Sequence, residues 1–494
     1  MRSAIVSILF ITVIPGPYPP AQNRAIATED AKLLAEIRDH NELMANAEHL
    51  SDVIGPRLTG SAAQRNASDW AEQQFQKYGL VNIHQEVWTI SHSWTRGSAE
   101  ASIVSPVTRR LAVASAGWTP GTDGVVQGPV VHVAAASDAD LDRYRGKLAG
   151  TIVVLDQPQP VTPPYAWGHP PVQFELQAPY VEEPDRESSA GPFDKTRLKF
   201  LQTEGVRAIL RDSEKPYNLL DMSNGSAGDY QPGLVPTAFI SHEDYALIWR
   251  LLRQGEVRMH LSLSNSFSPG PAKTSNTVAE IRGAEKPDEV VILGAHIDSW
   301  DLGSGSTDNG TGVVIVLEAA RALAKFAPAP KRTLRFILFS GEEQGEVGSS
   351  VYVNQHENEL AKISGILVDD TGTGPVVAIG THENYSDIAA TQQILAPIAA
   401  PLHLLEPKLS RTFGSDYAPF NAASVPAFSC IGDGPEYYET HHSQTDTLDK
   451  VSEAGMIQSA QLMAAWALNA AEYPSLLPRK ALKTTDSLSP PGSD

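Results

Sequence analysis

The sequence predicts an α/β protein, a three-layer αβα sandwich with a mostly parallel central sheet and a β-rich module inserted into it. From residue 274 onward, apolar runs of strand length alternate with longer stretches of helical periodicity, which is typical of a parallel sheet covered on both faces. Between residues 124 and 265, short β-like runs separated by turn residues replace that alternation. The length of 494 residues also exceeds what one domain usually holds.

The N-terminal residues predict an export signal. Arg2 precedes a mostly apolar stretch from Ala4 to Ile14, and Ala25-Ile26-Ala27 provides the small residues that signal peptidase accepts, with Ala21 as a second candidate. The apolar stretch is too short to cross about 30 Å of hydrocarbon as an anchor. We therefore predict a signal peptide over residues 1–27, a secreted or periplasmic location and no stable membrane anchor.

The composition argues against two classes of partner. A formal charge of -20 opposes binding to nucleic acid, whose phosphates require clustered Lys and Arg, and to an anionic membrane surface. The single cysteine, Cys430, rules out an internal disulfide. Because Cys430 lies in the apolar run 426–431, we expect a buried small side chain rather than a nucleophile.

Residues 28–122 are the predicted first part of the main domain. Apolar residues at every third or fourth position predict helices over 29–50 and about 61–78, and the pattern of 81–89 predicts a strand. Near Gly121 the helical periodicity gives way to short β-like runs with many turn residues, so the inserted module is predicted over residues 123–271. Its strands are predicted at 125–134, 150–155, 208–210, 236–240 and 257–263, and the proline-rich stretch 157–184 is predicted to lack regular structure.

Residues 272–477 are predicted to complete the main domain and to contain the functional residues. The predicted strands are 277–281, 289–295, 333–340, 363–368, 376–379 and 427–431, and the predicted helices are 312–326, 385–400 and 452–471. Residues 478–494 are rich in Pro, Ser, Thr and charge, which predicts a disordered tail.

Residues that can bind a metal follow three of these strands and precede the last helix. They are His296, Asp298 and Asp308, then Glu342 and Glu343, then Asp369 and Asp370, and finally His441 and His442. In open α/β sheets such strand ends meet at one edge, where ligands bind. Close carboxylates there repel one another by ~1–4 kcal/mol per pair, and a cation removes that cost. Carboxylates with imidazole and without thiolate suit Zn²⁺ in two adjacent sites.

Each motif alone has a simpler explanation, and two choices stay open from the residues. Paired glutamates are usually solvated, paired aspartates often cap helices, and adjacent histidines are more often surface residues. Asp369 competes with Asp370 because neighbouring strand residues point to opposite sides, and the spacing to Gly372-Thr373-Gly374 favours Asp370. His441 competes with His442, and the following serine favours His442. Only the joint placement of the motifs favours a metal site.

These motifs resemble those of the co-catalytic zinc exopeptidases, a family that includes secreted aminopeptidases, glutamate carboxypeptidases and carboxypeptidase Q. The motifs are Gly294-Ala-His296-Ile-Asp298-Ser-Trp-Asp301, Asp308-Asn-Gly310, Gly341-Glu342-Glu343, Asp370 and His442-Ser443. The His-x-Asp-Ser-Trp-Asp and His-His-Ser-x-x-Asp-Thr forms are most similar to the carboxypeptidase Q group. Residues 144–154 of the insert are similar to a protease-associated domain. The resemblance covers the main domain on both sides of the insert and implies the zinc exopeptidase fold.

The resemblance assigns a role to each matching residue. It implies that His296 and Asp370 hold one zinc, that Glu343 and His442 hold the other, that Asp308 bridges them, that Glu342 is the general base, and that Asp298 hydrogen-bonds the far nitrogen of His296. It also implies a cis peptide after Asp308 and a homodimer. For the substrate it implies His441 as a donor to the oxyanion, and Asp416 and Tyr438 in the specificity pocket. From the residues alone, an Asx turn at Asp416 and a core position for Tyr438 stay open. Arg411 is a candidate partner for a substrate carboxylate, or for Asp416.

The sequence therefore predicts an exported exopeptidase with two zinc ions per chain, which hydrolyses short peptides or dipeptides through a metal-bridged water activated by Glu342. This is an aminopeptidase-like or dipeptidase-like activity. The alternatives are a carboxypeptidase acting on free C-termini, a non-catalytic binding protein on the same scaffold, and a single-zinc acyltransferase or cyclotransferase. The complete set of ligand residues favours the enzyme over the binding protein.

Overall fold

The structure is a computed structural model that describes residues 20–161, 192–225, 230–326, 329–410, 414–434 and 437–480. Four sequence predictions fall wholly or mostly outside these residues. They are the signal peptide, most of the proline-rich stretch, the candidate Arg411 and the C-terminal tail.

The elements follow the predicted alternation, with most boundaries shifted by a few residues. The strands are β1 (Val81–Ile90), β2 (Trp94–Thr95), β3 (Ala99–Ser105), β4 (Arg109–Leu111), β5 (Val113–Ser115), β6 (Val126–His132), β7 (Ile152–Val154), β8 (Ala208–Asp212), β9 (Thr237–Ile240), β10 (Arg258–Leu263), β11 (Ser266–Phe267), β12 (Ala272–Ile281), β13 (Lys286–His296), β14 (Arg332–Phe339), β15 (Ile363–Val368), β16 (Val376–Gly380) and β17 (Ala427–Gly432). The helices are α1 (Pro20–His40), α2 (Leu43–Glu48), α3 (Ala62–Lys77), α4 (Asp138–Leu141), α5 (Pro192–Thr203), α6 (His242–Leu252), α7 (Thr311–Phe326), α8 (Val347–Gln355), α9 (Ile388–Leu395), α10 (Tyr417–Ala422), α11 (Tyr437–Thr440) and α12 (Glu453–Glu472).

The central sheet has a parallel middle and antiparallel edges. Within the described ranges it contains seven strands in the order β1-β12-β14-β13-β15-β17-β16. The neighbours β14, β13, β15 and β17 are parallel, whereas β1, β12 and β16 pair antiparallel. The α/β class is confirmed, and the parallel strands end together at one edge of the sheet.

Helices cover both faces of this sheet, so the three layers are present. Side chains alternate along β13, with Leu293 in a core beneath α1, α3, α7 and α12 and Ile292 in a core beneath α8 and α10. Helices α3 and α12 begin after Ser61 and Ser452, whose side chains each accept a hydrogen bond from a backbone N–H of the first turn. Cys430 is buried in the larger core, as predicted.

A second sheet lies between the two halves of the main domain in the sequence. Over the residues that the structure describes, it has eight strands in the order β4-β3-β10-β6-β7-β8-β9-β5, and β6 to β9 are parallel. Three of its strands, β3 to β5, lie in residues 28–122, which were predicted to belong to the main domain. These strands are short and partly exposed, so their apolar pattern is weak. We propose that this sheet is the core of the inserted module, which then begins before Ala99 rather than at residue 123.

The first predicted helix is divided in two. Local side-chain bonds compete with the helix at the division, because Asn41 donates to the carbonyl of Ile37 and accepts from the N–H of Leu43. Near the C-terminus, Arg479 donates to the carbonyls of Ser424, Leu360 and Ile363, so the described start of the predicted tail is attached to the main domain. No helix in the described part of the chain has the length and apolar character needed to cross a membrane.

Asp30 makes the stability of the fold dependent on pH. Its side chain is 2% exposed and accepts a hydrogen bond from Asn469 of α12. Burial is the main cause that raises the pKa of Asp30 to about 6, and the charge of nearby Glu29 adds to this increase. The hydrogen bond from Asn469 acts in the opposite direction and lowers the pKa. The folded state therefore retains a proton that the unfolded chain loses near pH 4, so stability falls as the pH rises from about 4 to about 6.

We expect Asp30→Asn to be more stable than the parent by roughly 1–3 kcal/mol at pH 7 and nearly equal to it at pH 4, because the amide does not ionise. Urea unfolding at the two pH values measures this difference. Asp52→Asn, at an exposed aspartate, is the control and should leave the pH dependence unchanged. Equal stability of Asp30→Asn and the parent at pH 7 would contradict the assignment.

Candidate metal centre

The parallel strands bring three of the predicted motifs to one edge of the central sheet. In the register of β13, His296 pairs with Phe339 of β14 and Gly294 pairs with Val368 of β15. The loops after these strands begin at the same level and carry the motifs onward. The fourth motif reaches the same edge from the loop between α11 and α12.

Each of the five predicted ligands lies within 3.4 Å of at least one other. His296 Nε2 is 3.3 Å from Asp308 Oδ1 and 3.3 Å from Asp370 Oδ1. His442 Nε2 is 3.4 Å from Asp308 Oδ2 and 3.0 Å from Glu343 Oε2. The two oxygens of Asp308 thus face different histidines, one on each side. Three overlapping groups of side chains have ligand atoms within 4.8 Å of one another, and Asp308 belongs to two of these groups.

Burial makes this cluster of charges costly. Burial and the carboxylate of Asp308 raise the pKa of Glu343 to about 7, although His442 opposes the shift. Burial also raises the pKa of Glu342 well above its usual range, and the charge of Asp370 adds to the effect. Burial lowers the pKa of His442, but Glu343 and Asp308 outweigh it and raise this pKa to about 9. The cluster therefore retains protons that a bound cation would displace.

The orientation of His296 differs in one detail from the expectation. Its Nδ1 is 3.0 Å from the backbone carbonyl of Asp298 and 3.7 Å from that residue's carboxylate. The carboxylate instead accepts from the Thr59 hydroxyl at 2.8 Å and from the Glu342 N–H at 3.3 Å. A proton on Nδ1 that is donated to the carbonyl leaves Nε2 free to bind a metal. Asp298 therefore orients the histidine through its backbone and ties two neighbouring segments together through its side chain.

The structure separates the two neighbouring aspartates. Asp370 points toward His296, whereas the Asp369 carboxylate accepts from the Thr371 hydroxyl at 3.0 Å. Burial raises the pKa of Asp369 to about 7. Its backbone carbonyl accepts from Asn309. Asp369 thus stabilises the loops around the cluster, and Asp370 lies in it.

Both histidines of the last motif lie at the cluster. Their rings stack with centroids 3.8 Å apart, and His441 Nε2 is 4.0 Å from Asp308 Oδ2. His442 is the nearer of the two to both Asp308 and Glu343. His442 also has a φ of 50°, in the left-handed region that few non-glycine residues adopt.

The three other candidate substrate residues differ in their position relative to the cluster. Asp416 is fully buried, and burial raises its pKa well above the usual range, with the charges of Asp298 and Asp370 adding to the effect and that of His296 opposing it, so it lies near the cluster. Tyr438 is half-buried in α11. Arg411 lies outside the described residues.

Arg57 supports the loop after β13 and was not predicted from the sequence. It is fully buried and donates to the carbonyls of Ile297 at 2.8 Å, Ser304 at 2.9 Å and Gly305 at 2.7 Å. Burial lowers its pKa to about 10, although nearby carboxylates, among them Asp446 and Asp298, oppose the shift. Within the turn-rich stretch 54–61, nothing distinguished this arginine from a surface residue.

Asp446 and Asn309 fix the segment that carries Asp308. The Asp446 carboxylate accepts from the N–H of Thr307 at 2.6 Å and from the N–H of Asp308 at 3.2 Å. Asn309 accepts from the N–H of Gly312 in the first turn of α7. The peptide between Asp308 and Asn309 is cis, as the resemblance implied. The sequence predicted Asp446 only as part of a motif, without a role.

The chain is similar to known peptidases over most of its length. Residues 276–467, which contain every metal-binding motif, match the model of peptidase family M28. Carboxypeptidase Q of Mus musculus is 31% identical over 435 residues, which is 87% of this chain and 86% of that protein. The solved peptidase M28 precursor of Shewanella amazonensis SB2B has a TM-score of 0.76 at 27% identity and covers 93% of this chain and 100% of that one. The aminopeptidase of Aneurinibacillus sp. strain AM-1 has a TM-score of 0.63 at 22% identity, with 92% and 98% covered, and shows the fold alone.

We expect Arg57→Met to lower the free energy of unfolding by about 3 kcal/mol or more, since three backbone carbonyls of the loop lose their donor at about 1–3 kcal/mol each. Urea unfolding measures the loss. Arg65→Met is a suitable control, because Arg65 is exposed and donates to the carbonyl of Gly60, five residues away in the sequence, so a change within about 0.5 kcal/mol is expected. A loss in Arg57→Met no larger than in the control would contradict the role of Arg57.

Proposed function

Because the chain belongs to peptidase family M28 and is a metallopeptidase, we propose that it is an exported di-zinc exopeptidase that hydrolyses short peptides or dipeptides. The observation that carries the proposal is the position of Asp308, whose two oxygens lie 3.3 and 3.4 Å from the Nε2 atoms of two different histidines. One carboxylate between two sets of ligands is an arrangement that suits a pair of adjacent metal ions.

The donor set suits zinc. The pairwise distances divide the ligands into two sets: His296, Asp370 and Asp308 would hold one ion, and His442, Glu343 and Asp308 the other, with nitrogen and carboxylate oxygen as ligands. When bound, the ions would lower the pKa of a water between them from about 16 to roughly 7 and polarise the scissile carbonyl.

Glu342 is the proposed general base. It lies next to the ligand Glu343, and its Oε2 is 3.8 Å from His296 Nε2, so it borders the centre beside the ligands. Its backbone N–H donates to Asp298, which limits how far the turn can move. A carboxylate in this position accepts a proton from the attacking water and then passes it to the leaving amine. His441, stacked on His442, is the proposed donor to the oxygen of the cleaved carbonyl.

The proposal also concerns which end of the peptide, the free amine or the free carboxylate, is recognised. Carboxypeptidase Q and the aminopeptidase YwaD of Bacillus subtilis are both among the similar proteins, so their names support either end. We favour the aminopeptidase or dipeptidase activity and retain the carboxypeptidase as the alternative. Export and a homodimer remain predictions from the sequence. A binding protein without catalysis is disfavoured because every predicted ligand reaches the cluster.

Glu342→Gln should lower kcat by at least about 10³-fold while two zinc ions stay bound, because the amide accepts no proton yet keeps the shape of the side chain. Peptidase assays and metal analysis of the same sample measure both quantities. Glu357→Gln, at an exposed glutamate, should behave as the parent. Retained turnover in Glu342→Gln would refute the role of Glu342.

Blocked dipeptides should reveal which end is recognised. We expect a free dipeptide to be cleaved and its N-acetylated form to resist cleavage, because a free amine is required. A chelator should abolish the activity, and added zinc should restore it. Cleavage of the N-acetylated form with resistance of the C-amidated form would favour the carboxypeptidase, and activity that survives removal of the metal would refute the di-zinc proposal.

A further inference from the structure

A segment of the inserted module contacts the histidine motif of the metal centre. Lys215 Nζ donates to the backbone carbonyl of His441 at 2.7 Å. The N–H of Met222 donates to the backbone carbonyl of His442 at 3.0 Å. Both distances are those of well-formed hydrogen bonds, so the module holds two successive peptide groups of the motif.

A third hydrogen bond extends this contact along the same loop. The N–H of Leu220 donates to the side-chain oxygen of Gln444 at 2.8 Å. The Gln444 amide also donates to the carbonyl of Asn218 at 3.3 Å. Segment 215–223 of the module is therefore joined by four hydrogen bonds to the loop that supplies the predicted ligand His442.

The contacted backbone has an intrinsically unfavourable conformation. His442 has a φ of 50°, in the left-handed region that is less favourable for residues other than glycine. The two bonds from the module reach the carbonyl before this residue and its own carbonyl. A change in either bond would therefore rotate the peptide groups that aim the His442 ring at Asp308 and Glu343.

Lys215 is unusual for its burial. Only 1% of the residue is exposed, and the charges that act on it are the carboxylates of Asp221 and Asp308. Burial lowers its pKa, and these two carboxylates oppose the shift. A buried ammonium group is retained at a cost in solvation, so its bond to the carbonyl of His441 indicates a specific role.

A second residue of the module touches the turn that carries the general base. The Tyr230 hydroxyl donates to Gln344 Oε1 at 3.3 Å, and a Cβ on Gly341 would lie 2.5 Å from that hydroxyl. The Tyr230 ring packs against Trp118, which in turn packs edge-on against Trp300 of the loop after β13. The module thus meets the metal centre on two sides.

We infer that the inserted module is a structural part of the metal centre and that Lys215 is a positioning residue, which holds the His441–His442 backbone in its metal-binding conformation. The inference rests on the proposed di-zinc function. It adds that the inserted module, and not only the main domain, holds a ligand of the metal centre in position. A module that only recruited substrate would have no need to bond the backbone of a ligand.

Lys215→Met keeps the length and apolar part of the side chain and removes the donor. Zinc titration of the metal-free protein should show one of two zinc ions binding about 10–100-fold more weakly, with the other unchanged. Excess zinc should restore most of kcat. Loss of a positive charge near Asp308 would by itself strengthen zinc binding, so weaker binding reports positioning rather than charge. Lys215→Arg, which keeps a donor and the charge, should recover part of the affinity.

Lys147→Met is the matched control, because Lys147 also donates to a backbone carbonyl, that of Arg143, but within its own module. It should bind both zinc ions as the parent does. Unchanged or tighter zinc binding in Lys215→Met would overturn the inference while leaving the di-zinc function intact. A parent protein that binds no zinc would refute both.

Hydrogen exchange on the parent protein tests the same inference without a substitution, should Lys215→Met fail to fold. Zinc loading should slow amide exchange in segment 215–223, since a segment that holds the ligands must be held by them in return. Exchange in this segment that is insensitive to zinc would overturn the inference.

Discussion

Repulsion among buried carboxylates is the constraint on which the rest of this structure depends. Asp308, Glu342, Glu343 and Asp370 converge at one edge of the central sheet, and their side chains are only 1–13% exposed. Such a cluster is unfavourable without positive charge, and its side chains would separate if their loops were free. The ligand histidines His296 and His442, the buried Arg57 and the proposed cations balance the charge. The hydrogen bonds of the loops keep the carboxylates from moving apart.

The support for the centre comes from three separate parts of the chain. Arg57 precedes the inserted module and binds backbone carbonyls of the loop after β13. Asp446 follows the ligands and binds the segment that carries Asp308. Lys215 comes from the module itself. Each of these residues anchors a backbone segment rather than a ligand side chain. The backbone of the ligand loops is therefore fixed, while the ligand side chains can still adjust to an ion.

The sequence was sufficient for the features that depend on local pattern. Alternating apolar runs predicted the central strands, and the order of the motifs predicted which side chains meet, because parallel strand ends share one edge. The choice of Asp370 over Asp369 agrees with the geometry. What the sequence did not predict depends on contacts between distant residues. Nothing near Arg57 or Lys215 distinguishes them from solvated side chains, and the carbonyl of Asp298 replaces its carboxylate beside His296 because the side chain is occupied by Thr59 and Glu342.

The bonds of Arg57 also bear on how the chain reaches its final state. The guanidinium and the carbonyl of Gly305 are 248 positions apart in the sequence, and the whole inserted module lies between them. Loop closure over such a separation is slow relative to the formation of local structure. During synthesis, the first helices emerge long before the partners of this arginine exist. We therefore expect the edge of the sheet that carries the metal centre to be among the last regions to gain protection from hydrogen exchange during folding, even though its strands lie at the centre of the sheet.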